Sequence, residues 1–386
     1  MHRHILRYGC LFFSALFFAF QGLSLAASAQ AVMTDLSLPN VSAQSAILLE
    51  PSTDIVIYEK NANTRLPMAS TTKIMTAIVA LEHADPSSTI TVSPMAVGIE
   101  GSSVYLYAGE QLSLEHLLYA LLLESANDAA AAIAIAIAGS IDAFADLMNQ
   151  KAAELGLTNT HFTNPHGLDH ENHYTTAADL ARIAAYCMEN ELFRTIVSTQ
   201  RMSIPMHDTE GARLLLNHNR LLRSYEGTIG LKTGYTKRSG RCLVSAVERN
   251  GMTLICVTLN APDDWDDHRN LFEYGFSLYT SVLLQAAGTF SYSLPVIGVR
   301  SSSVNLTNAN EVRVIIPEQH GEISLTCEAP RWISGNIAKN QQIGQLIWKC
   351  DGEIIACEPL VATASVQTDV PKINFFRRLF HFFIKH

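Results

Sequence analysis

Three short stretches of this sequence follow one another in a fixed order: Ser70-Thr71-Thr72-Lys73, Ser125-Ala126-Asn127 and Lys232-Thr233-Gly234. Together they supply a nucleophile, a base, a proton relay and an anion-binding strand, which are the groups that an active-serine acyltransferase needs. A serine and a lysine three residues apart arise by chance about once in a chain of this length, whereas a Lys-Thr-Gly triplet needs on the order of thousands of residues. The ordered set therefore predicts an acyl-transfer site built around Ser70.

The residues around Ser70 predict a helix that begins at the first motif. Pro67 ends an extended segment, and apolar side chains between Ile74 and Leu81 fill one side of the turns that follow. Lys73 lies one helical turn after Ser70, so both side chains share a face at a helix N-terminus, where unpaired backbone N–H groups favour negative charge. Without the other two motifs, Ser70 would be interpreted as a simple N-cap.

The pattern of apolar residues predicts a mixed region of helices and strands followed by a small all-β region. Residues 46–58 form a predicted hairpin, a second predicted hairpin turns at Asn250-Gly251, and a strand is predicted to begin at Lys232. From about Tyr292 the sequence changes to short alternating apolar runs broken by Gly, Asn and Pro, which is typical of a β domain. Helices are predicted at residues 114–123, 129–138, 141–155, 176–189 and 268–286.

The length and composition indicate an exported protein of two domains. The chain has 386 residues, a net charge of −9 and seven cysteines. Basic residues, an apolar run from Leu11 to Phe20 and the small residues Ala27-Ser28-Ala29 form a predicted secretory signal that is cleaved after Ala29; an uncleaved N-terminal anchor is the alternative. The acidic balance argues against nucleic acid as a partner, because a protein that binds phosphate backbones needs a basic face.

The last residues of the chain predict a basic amphipathic helix. At about 100° per residue, the apolar side chains between Ile373 and Ile384 share one broad face, and Arg377, Arg378 and Lys385 lie on the other. Such a helix belongs at a membrane surface, so residues 372–386 are predicted to attach the exported protein to the outer face of the cytoplasmic membrane. Docking of this helix on the protein itself is the alternative.

The cysteines give one firm expectation and one open question. Cys242 and Cys256 lie on the two strands of the second hairpin and point to opposite faces, so they are not expected to be bonded to each other. Cys327, Cys350 and Cys357 lie in one later region, where an oxidising compartment would permit a bridge among them.

The sequence around the motifs resembles the low-molecular-mass D-alanyl-D-alanine carboxypeptidases of the penicillin-binding protein and serine β-lactamase superfamily. The resemblance covers about residues 40–285, and a β domain and a terminal amphipathic helix, which that family commonly has, extend it to the end of the chain. The accessory stretches are not shared by β-lactamases. The resemblance rests on Pro67-Met68-Ala69-Ser70-Thr71-Thr72-Lys73, Ser125-Ala126-Asn127-Asp128-Ala129, Asn164-Pro165-His166-Gly167-Leu168, Thr175-Thr176-Ala177-Ala178-Asp179-Leu180, Asn217-His218-Asn219-Arg220-Leu221-Leu222 and Lys232-Thr233-Gly234-Tyr235-Thr236.

The resemblance implies an α/β (α+β) fold: a β-lactamase/transpeptidase-like antiparallel sheet flanked by helices, plus a small C-terminal all-β domain. It also implies cleavage of the last peptide bond in peptidoglycan stem peptides that end in D-Ala-D-Ala, and acylation by β-lactam antibiotics. No cofactor and no metal are expected. The predicted divisions are residues 1–29 as signal peptide, 30–290 as catalytic serine peptidase domain, 291–363 as β domain, and 364–386 as linker and anchoring helix.

The chemistry of the motif side chains assigns the catalytic roles. Ser70 must lose its proton to attack a carbonyl carbon, and Lys73 is the nearest base. A neutral amine requires a lowered pKa, which burial and the second cation Lys232 would favour for Lys73. Ser125 can pass the proton to the leaving amine.

Further motif residues are predicted to bind the substrate. Asn127 can hold the catalytic lysine and the substrate amide, and Lys232 and Thr233 suit the terminal carboxylate. Gly234 lets a peptide approach the strand edge closely. By resemblance, the backbone N–H groups of the nucleophile and of Tyr235 form the oxyanion hole.

The sequence departs from the family after the second hairpin. An arginine often follows that hairpin in the family and helps to bind the substrate carboxylate, whereas this chain has Asp263-Asp264-Trp265-Asp266-Asp267-His268-Arg269. The aspartates would repel a carboxylate. Arg269 is therefore the candidate to replace the family arginine.

Other functions fit parts of the sequence. A serine β-lactamase needs a second base, and residues 154–159 superficially resemble the loop that supplies it in one class, although periodicity assigns Glu154 to a solvated helix end. A DD-endopeptidase or transpeptidase of the same superfamily and a catalytically idle wall-binding protein are further alternatives. A zinc hydrolase is another alternative. Its metal ligands would be His161, His166, Asp169, His170 and His173, although their spacing matches no compact ligand motif.

Overall fold

The computed structural model describes residues 38–206, 210–298 and 303–367. Within it the chain divides into two compact units, with the boundary between Tyr279 and Thr280. The predicted signal peptide and the predicted amphipathic segment, residues 372–386, lie outside the described residues. The boundary falls before the predicted one at residue 290, because the strand that begins at Tyr279 pairs within the β domain.

The first unit contains a five-stranded sheet in which each strand runs antiparallel to its neighbours. The strand order is β2-β1-β9-β8-β7. This arrangement brings the first and the last strands of the unit side by side and leaves β7 at an edge. The strands are β1 (Ser45–Glu50), β2 (Ile55–Lys60), β7 (Thr228–Thr236), β8 (Gly240–Arg249) and β9 (Met252–Leu259).

Both predicted hairpins of this sheet are confirmed. In the second hairpin Leu243 lies opposite Thr258 and Ser245 opposite Cys256, so Cys242 and Cys256 point to different faces and are not bonded to each other, as predicted. The edge strand β7 begins at Thr228 rather than at Lys232, so the Lys-Thr-Gly motif lies inside the strand.

Helices pack around the sheet and form most of the apolar core. The predicted helices at 114–123, 129–138, 141–155 and 176–189 are confirmed within a few residues. The second helix and the first eight residues of the third, Asn127 to Ala134, are mostly buried, which agrees with their apolar composition. The helices of this part are α1 (Lys73–His83), α2 (Leu114–Leu123), α3 (Asn127–Ala138), α4 (Ile141–Glu154), α5 (Ala177–Met188), α6 (Glu191–Ser198) and α7 (Leu221–Ser224).

The predicted helix over residues 268–286 is wrong at both ends. The structure has helix α8 (Asp264–Leu278) followed by strand β10 (Tyr279–Gln285). Asp264, Asp266 and Asp267 occupy the first turn of the helix, where acidic side chains favour a helix N-terminus. The aspartates thus start the helix earlier than the apolar pattern alone indicated.

The first unit has two further strand pairs that the sequence did not predict. Each is an antiparallel pair of short strands. Strand β6 alternates between buried and exposed side chains, so Leu214 and Leu216 face solvent while Leu215 is buried. The strands are β3 (Thr89–Thr91), β4 (Gln111–Ser113), β5 (Arg201–Pro205) and β6 (Ala212–Leu216).

The second unit is all-β, as predicted. A six-stranded sheet has the order β14-β16-β17-β12-β11-β15, and β10 pairs with β13. Buried apolar side chains such as Leu294, Leu306, Trp348 and Leu360 form its core. The strands are β11 (Tyr292–Ile297), β12 (Ser303–Asn308), β13 (Val312–Pro317), β14 (Ile323–Glu328), β15 (Ile333–Ser334), β16 (Gln342–Cys350) and β17 (Glu353–Ala362).

No disulfide links the described cysteines, so the bridge that the sequence left open in the β domain is not formed. Cys327 pairs with Leu346 on one side of β16, and Cys357 pairs with Ile347 on the other. Two strand spacings of about 4.8 Å each therefore separate Cys327 from Cys357, which is too far for a disulfide. Cys350 is also free.

Among the described helices, no single helix is long and apolar enough to cross a membrane. The consecutive helices α3 and α4 reach the length and apolar composition of a membrane span only when they are taken together, and this pair bends by 84°.

Replacing Leu118 by Ala should destabilise the first unit strongly. Leu118 lies in α2 and has no exposed surface, so the substitution leaves a cavity and should lower the free energy of unfolding by about 2–5 kcal/mol. Leu214→Ala is the matched control, because that side chain is 63% exposed and its loss should cost less than about 0.5 kcal/mol. Urea unfolding measures both, and equal effects of the two substitutions would contradict the assigned core.

Candidate active site

The three motifs lie on three different elements that meet at one place. Ser70 lies in a single 3-10 turn, Ala69–Thr72, that leads into α1. Ser125 lies in the break between α2 and α3, and Lys232 lies in β7. Ala69 and Ser125 have positive φ angles of 47° and 61°, a region that non-glycine residues rarely adopt. Both strained positions flank or carry a motif serine, which is the usual location of such strain at functional sites.

The ammonium nitrogen of Lys73 connects the first two motifs. Its Nζ lies 3.1 Å from Ser70 Oγ, 2.6 Å from Asn127 Oδ1 and 2.5 Å from the backbone oxygen of His166. The side chain has no exposed surface. The contact between Lys73 and Ser70 that the one-turn spacing predicted is therefore present, and two oxygen atoms fix the position of the amine.

Burial sets the charge state of both motif lysines. Burial lowers the pKa of Lys73 well below its ordinary value, and the positive charge of Lys232 lowers it further, while Asp128 acts in the opposite direction. Burial also lowers the pKa of Lys232 to about 7, against the opposing effect of Glu124. A lysine with a depressed pKa can be neutral and can accept a proton from a neighbouring hydroxyl group.

Asn127 is held by a loop that precedes it in sequence. Its Nδ2 donates to the Glu100 carbonyl at 2.5 Å, and its backbone N–H donates to the Ser102 carbonyl at 2.7 Å. The next residue, Asp128, accepts hydrogen bonds from Ser103 Oγ and from the backbone N–H of Leu106. Asp128 therefore fixes the loop that orients Asn127, a role that the sequence gave no means to assign.

The 3-10 turn Ala69–Thr72, called the nucleophile turn below, is packed tightly against two glycines. A Cβ atom added to Gly167, whose φ is +90°, would lie 2.0 Å from the Ala69 carbonyl oxygen. One added to Gly234 would lie 3.0 Å from the backbone nitrogen of Ser70. The close approach that Gly234 allows in the structure is that of the turn Ala69–Thr72, and the predicted approach of a substrate peptide stays a prediction.

These elements enclose an open cleft of about 340 Å³. Lys73, Asn127 and Lys232 are almost fully buried and do not line it. The ammonium group of Lys232 donates to the Thr233 carbonyl at 3.1 Å. The cleft is lined by Ser70, Ser102, Ser125, His218, Arg220, Thr233, Gly234, Tyr235, Arg241, Asp264 and Trp265.

The arginines at this cleft differ from the one that the sequence suggested. Arg269 bonds to Asp266 at 3.0 Å and to Ser224 at 3.2 Å and does not line the cleft, so its predicted place beside the substrate is wrong. Arg220 and Arg241 line the cleft instead. Arg220 lies in the accessory stretch Asn217–Leu222 that carries the family resemblance, which is a signal that could have found it, whereas no motif marks Arg241.

The histidines of the predicted zinc alternative have structural contacts. His173 Nδ1 accepts the Thr163 N–H at 3.0 Å, so its Nε2 can donate to Thr72 Oγ1 at 2.7 Å, directly beside the nucleophile turn. Burial lowers the pKa of His173 to about 3, which keeps the ring neutral. In the part of the chain that the structure describes, no group of three or more His, Cys, Asp or Glu side chains could hold a metal ion.

Glu154, the residue of the β-lactamase alternative, is remote from this chemistry. It ends α4, pairs with Lys151 at 2.6 Å with its own side chain 48% exposed, and does not line the cleft. The interpretation of Glu154 as a solvated helix end is therefore confirmed.

The fold and the site define a class, the active-serine peptidases in which a lysine lies beside the serine. A family model described as D-alanyl-D-alanine carboxypeptidase matches residues 31–263, and a model of the C-terminal domain of penicillin-binding protein 5 matches residues 279–368. The chain belongs to the D-alanyl-D-alanine carboxypeptidase family. The family assignment and the fold class predicted from sequence are thereby confirmed, and the protein is a serine peptidase.

Individual relatives agree with this assignment. The D-alanyl-D-alanine carboxypeptidase DacF of Bacillus subtilis is 32% identical over 343 residues, which are 86% of this chain and 87% of the relative. Penicillin-binding protein 5 from Haemophilus influenzae has a similar structure, with a TM-score of 0.65 and 28% identity over 86% of this chain and 99% of that one. The Streptomyces K15 DD-transpeptidase has a TM-score of 0.60 and 34% identity over 63% of this chain and 100% of that one.

The buried Lys232 should make stability depend on pH. Its pKa is about 7 in the folded protein and near 10.5 ordinarily, so between these values the unfolded chain binds more protons than the native one. The free energy of unfolding therefore rises with pH in this window. Relative to Lys232→Met, wild-type stability should be constant below about pH 7 and then increase by up to about 1.4 kcal/mol per pH unit.

Urea unfolding at a series of pH values from about pH 6 to pH 9 measures this difference. The exposed Lys237, replaced by Met, is the matched control, since it removes the same charge from the same region. A difference between wild type and Lys232→Met that stays constant over the whole range would show that Lys232 remains charged.

Proposed function

We propose that this enzyme removes the terminal D-alanine from peptidoglycan stem peptides through an acyl-enzyme on Ser70. One observation carries the proposal: Lys73 Nζ lies 3.1 Å from Ser70 Oγ, and burial depresses the pKa of this lysine. The neutral amine can take the hydroxyl proton while Oγ attacks, which is how an active-site base activates a serine.

The reaction divides into two steps on these residues. In the first, Ser70 Oγ forms a bond to the carbonyl carbon of the penultimate D-alanine, and the peptide C–N bond breaks. The proton that Lys73 accepted returns through Ser125, which lines the cleft, to the leaving amine, and D-alanine departs. In the second step, water cleaves the ester and regenerates the serine hydroxyl group.

The remaining motif residues bind and polarise the substrate in this proposal. Asn127, held by two backbone carbonyls, keeps Lys73 in place and receives the substrate amide. Lys232 and Thr233 favour a terminal carboxylate, and the backbone N–H groups of Ser70 and Tyr235 receive the developing oxyanion. The same arrangement suits β-lactams, which present a reactive carbonyl group and a carboxylate.

A transpeptidase or endopeptidase activity is the second candidate, because one similar structure is named a DD-transpeptidase. The two activities share the acyl-enzyme and differ in the group that attacks it. Incubation of the mature protein with stem pentapeptides distinguishes them, since a carboxypeptidase releases free D-alanine, whereas a transpeptidase produces cross-linked dimers.

Penicillin should form one covalent adduct per molecule, and Ser70→Ala should abolish it. Among the described residues that line the cleft, Ser70 is the serine whose hydroxyl group is hydrogen-bonded to the buried Lys73. The mass of the intact protein after exposure to penicillin measures the adduct. Ser102→Ala, at another serine of the cleft wall, is the matched control and should keep it. An adduct that persists in Ser70→Ala would contradict the assignment.

The ends of the chain support a proposal about location. Residues 1–29 read as a secretory signal, and residues 372–386 as a basic amphipathic segment with a phenylalanine-rich face. We infer that the mature enzyme is attached to the outer face of the cytoplasmic membrane. Lys372, Arg377, Arg378 and Lys385 would meet anionic lipids.

Deletion of residues 371–386 should convert a membrane-bound enzyme into a soluble one. Activity on small peptides should not change, because the deleted residues lie outside the catalytic unit. Cosedimentation of the mature protein with vesicles containing anionic lipid measures binding, and Arg377→Gln with Arg378→Gln should weaken it in a salt-dependent way. A full-length protein that is soluble in low salt and does not bind the vesicles would favour docking of the segment on its own domain.

A further inference from the structure

Two arginine side chains contact one tryptophan at the wall of the cleft. The guanidinium carbons of Arg220 and Arg241 lie 6.0 Å and 5.8 Å from the ring centre of Trp265. All three residues line the cleft together with Thr233 and Ser70. Because a guanidinium group is attracted to the face of an indole ring, Trp265 holds both positive groups close to the nucleophile.

The charge of Arg241 is already matched. Its Nε and Nη2 donate to Asp264 Oδ1 at 3.0 Å and 2.7 Å, and the Asp264 side chain is only 3% exposed. Breaking such a pair would leave a buried carboxylate without a partner, which is costly. Arg241 therefore serves as a support for this wall, and its charge is already compensated by Asp264.

The charge of Arg220 is not matched by the protein. The residue caps the N-terminus of α7 and is exposed, and its backbone carbonyl accepts from Ser224. Within residues 38–206, 210–298 and 303–367 its guanidinium group has the contact with Trp265 and no ion pair or hydrogen bond. An arginine held by a ring but free of carboxylates presents its donors to the cleft.

We propose that Arg220 is the residue that recognises the terminal carboxylate of the substrate, an inference that rests on the proposed function and makes it more specific. The planar fork of a guanidinium group matches a carboxylate in a bidentate way. Lys232 is 1% exposed and donates to the Thr233 carbonyl, so its charge acts from inside the protein. Arg220 supplies the direct contact and selects peptides with a free carboxyl end.

The test compares two substrates on the full mature protein: a short peptide that ends in D-Ala-D-Ala and the same peptide with a C-terminal carboxamide. Arg220→Ala should lower kcat/KM for the acid by about tenfold to a hundredfold, mainly through KM, because a charge-assisted hydrogen bond is lost. The value for the amide should change by less than about twofold. Arg220→Lys should recover part of the loss for the acid.

Two further variants separate recognition from general damage. Arg269→Ala removes the same charge outside the cleft and should keep the wild-type ratio of acid to amide. Trp265→Phe should also keep most of it, because the ring remains and the buried indole Nε1 has no acceptor to lose. Trp265→Ala should reproduce part of the Arg220→Ala effect, since the guanidinium group loses its platform.

The outcomes are distinct. A ratio that falls in Arg220→Ala and not in Arg269→Ala supports the inference. A ratio that is unchanged in Arg220→Ala, while the wild type releases D-alanine from the acid, overturns the inference and leaves the proposed function intact. A wild type that releases neither D-alanine from the acid nor D-alaninamide from the amide overturns the proposed function, and the assignment of Arg220 with it. Stoichiometric labelling of Ser70 by penicillin confirms that each variant is folded.

Discussion

The burial of the Lys73 amine is the constraint on which the rest of the catalytic unit depends. A charged amine without water is strongly disfavoured, so the side chain must either lose its proton or find oxygen partners. Here Asn127 and the His166 carbonyl accept hydrogen bonds from the nitrogen, burial and the positive charge of Lys232 lower the pKa of Lys73, and the remaining neighbour is the Ser70 hydroxyl group. The arrangement that lowers the pKa of this lysine also fixes it beside the Ser70 hydroxyl group.

Much of the surrounding structure holds those partners in place. The carbonyl of His166 is positioned by a loop in which Gly167 packs against Ala69, and the amide of Asn127 is positioned by the loop that Asp128 binds. These supports come from parts of the chain that are distant in sequence. Backbone carbonyl oxygens are useful here, since their orientation is set by the fold and does not depend on a side-chain rotamer.

The substrate side of the cleft follows a different principle. The three positive groups there differ in their surroundings. Lys232 is buried, Arg241 forms an ion pair with Asp264, and Arg220 is exposed. The aspartates after the second hairpin, which suggested repulsion of a carboxylate, have other partners, because Asp264 binds Arg241 and Asp267 binds the Ser42 and Ala43 backbone. Acidic residues near a site in sequence thus need not act on the ligand.

The sequence by itself determined the contact between Ser70 and Lys73, the order of the main helices and the two hairpins of the sheet, because each depends on local spacing or on a periodic apolar pattern. Ser70 and Lys73 meet since one helical turn separates them, and Cys242 and Cys256 point apart since the hairpin register fixes their faces. The start of α8 was missed because acidic residues at a helix N-terminus can begin a helix before its apolar pattern does.

Only the tertiary structure decided that His166 contributes a carbonyl oxygen to Lys73, and that Arg220 rather than Arg269 lines the cleft. These contacts join residues far apart in the chain, and no pattern of residue types encodes which backbone oxygen or which arginine the packing of helices against the sheet will bring to the nucleophile.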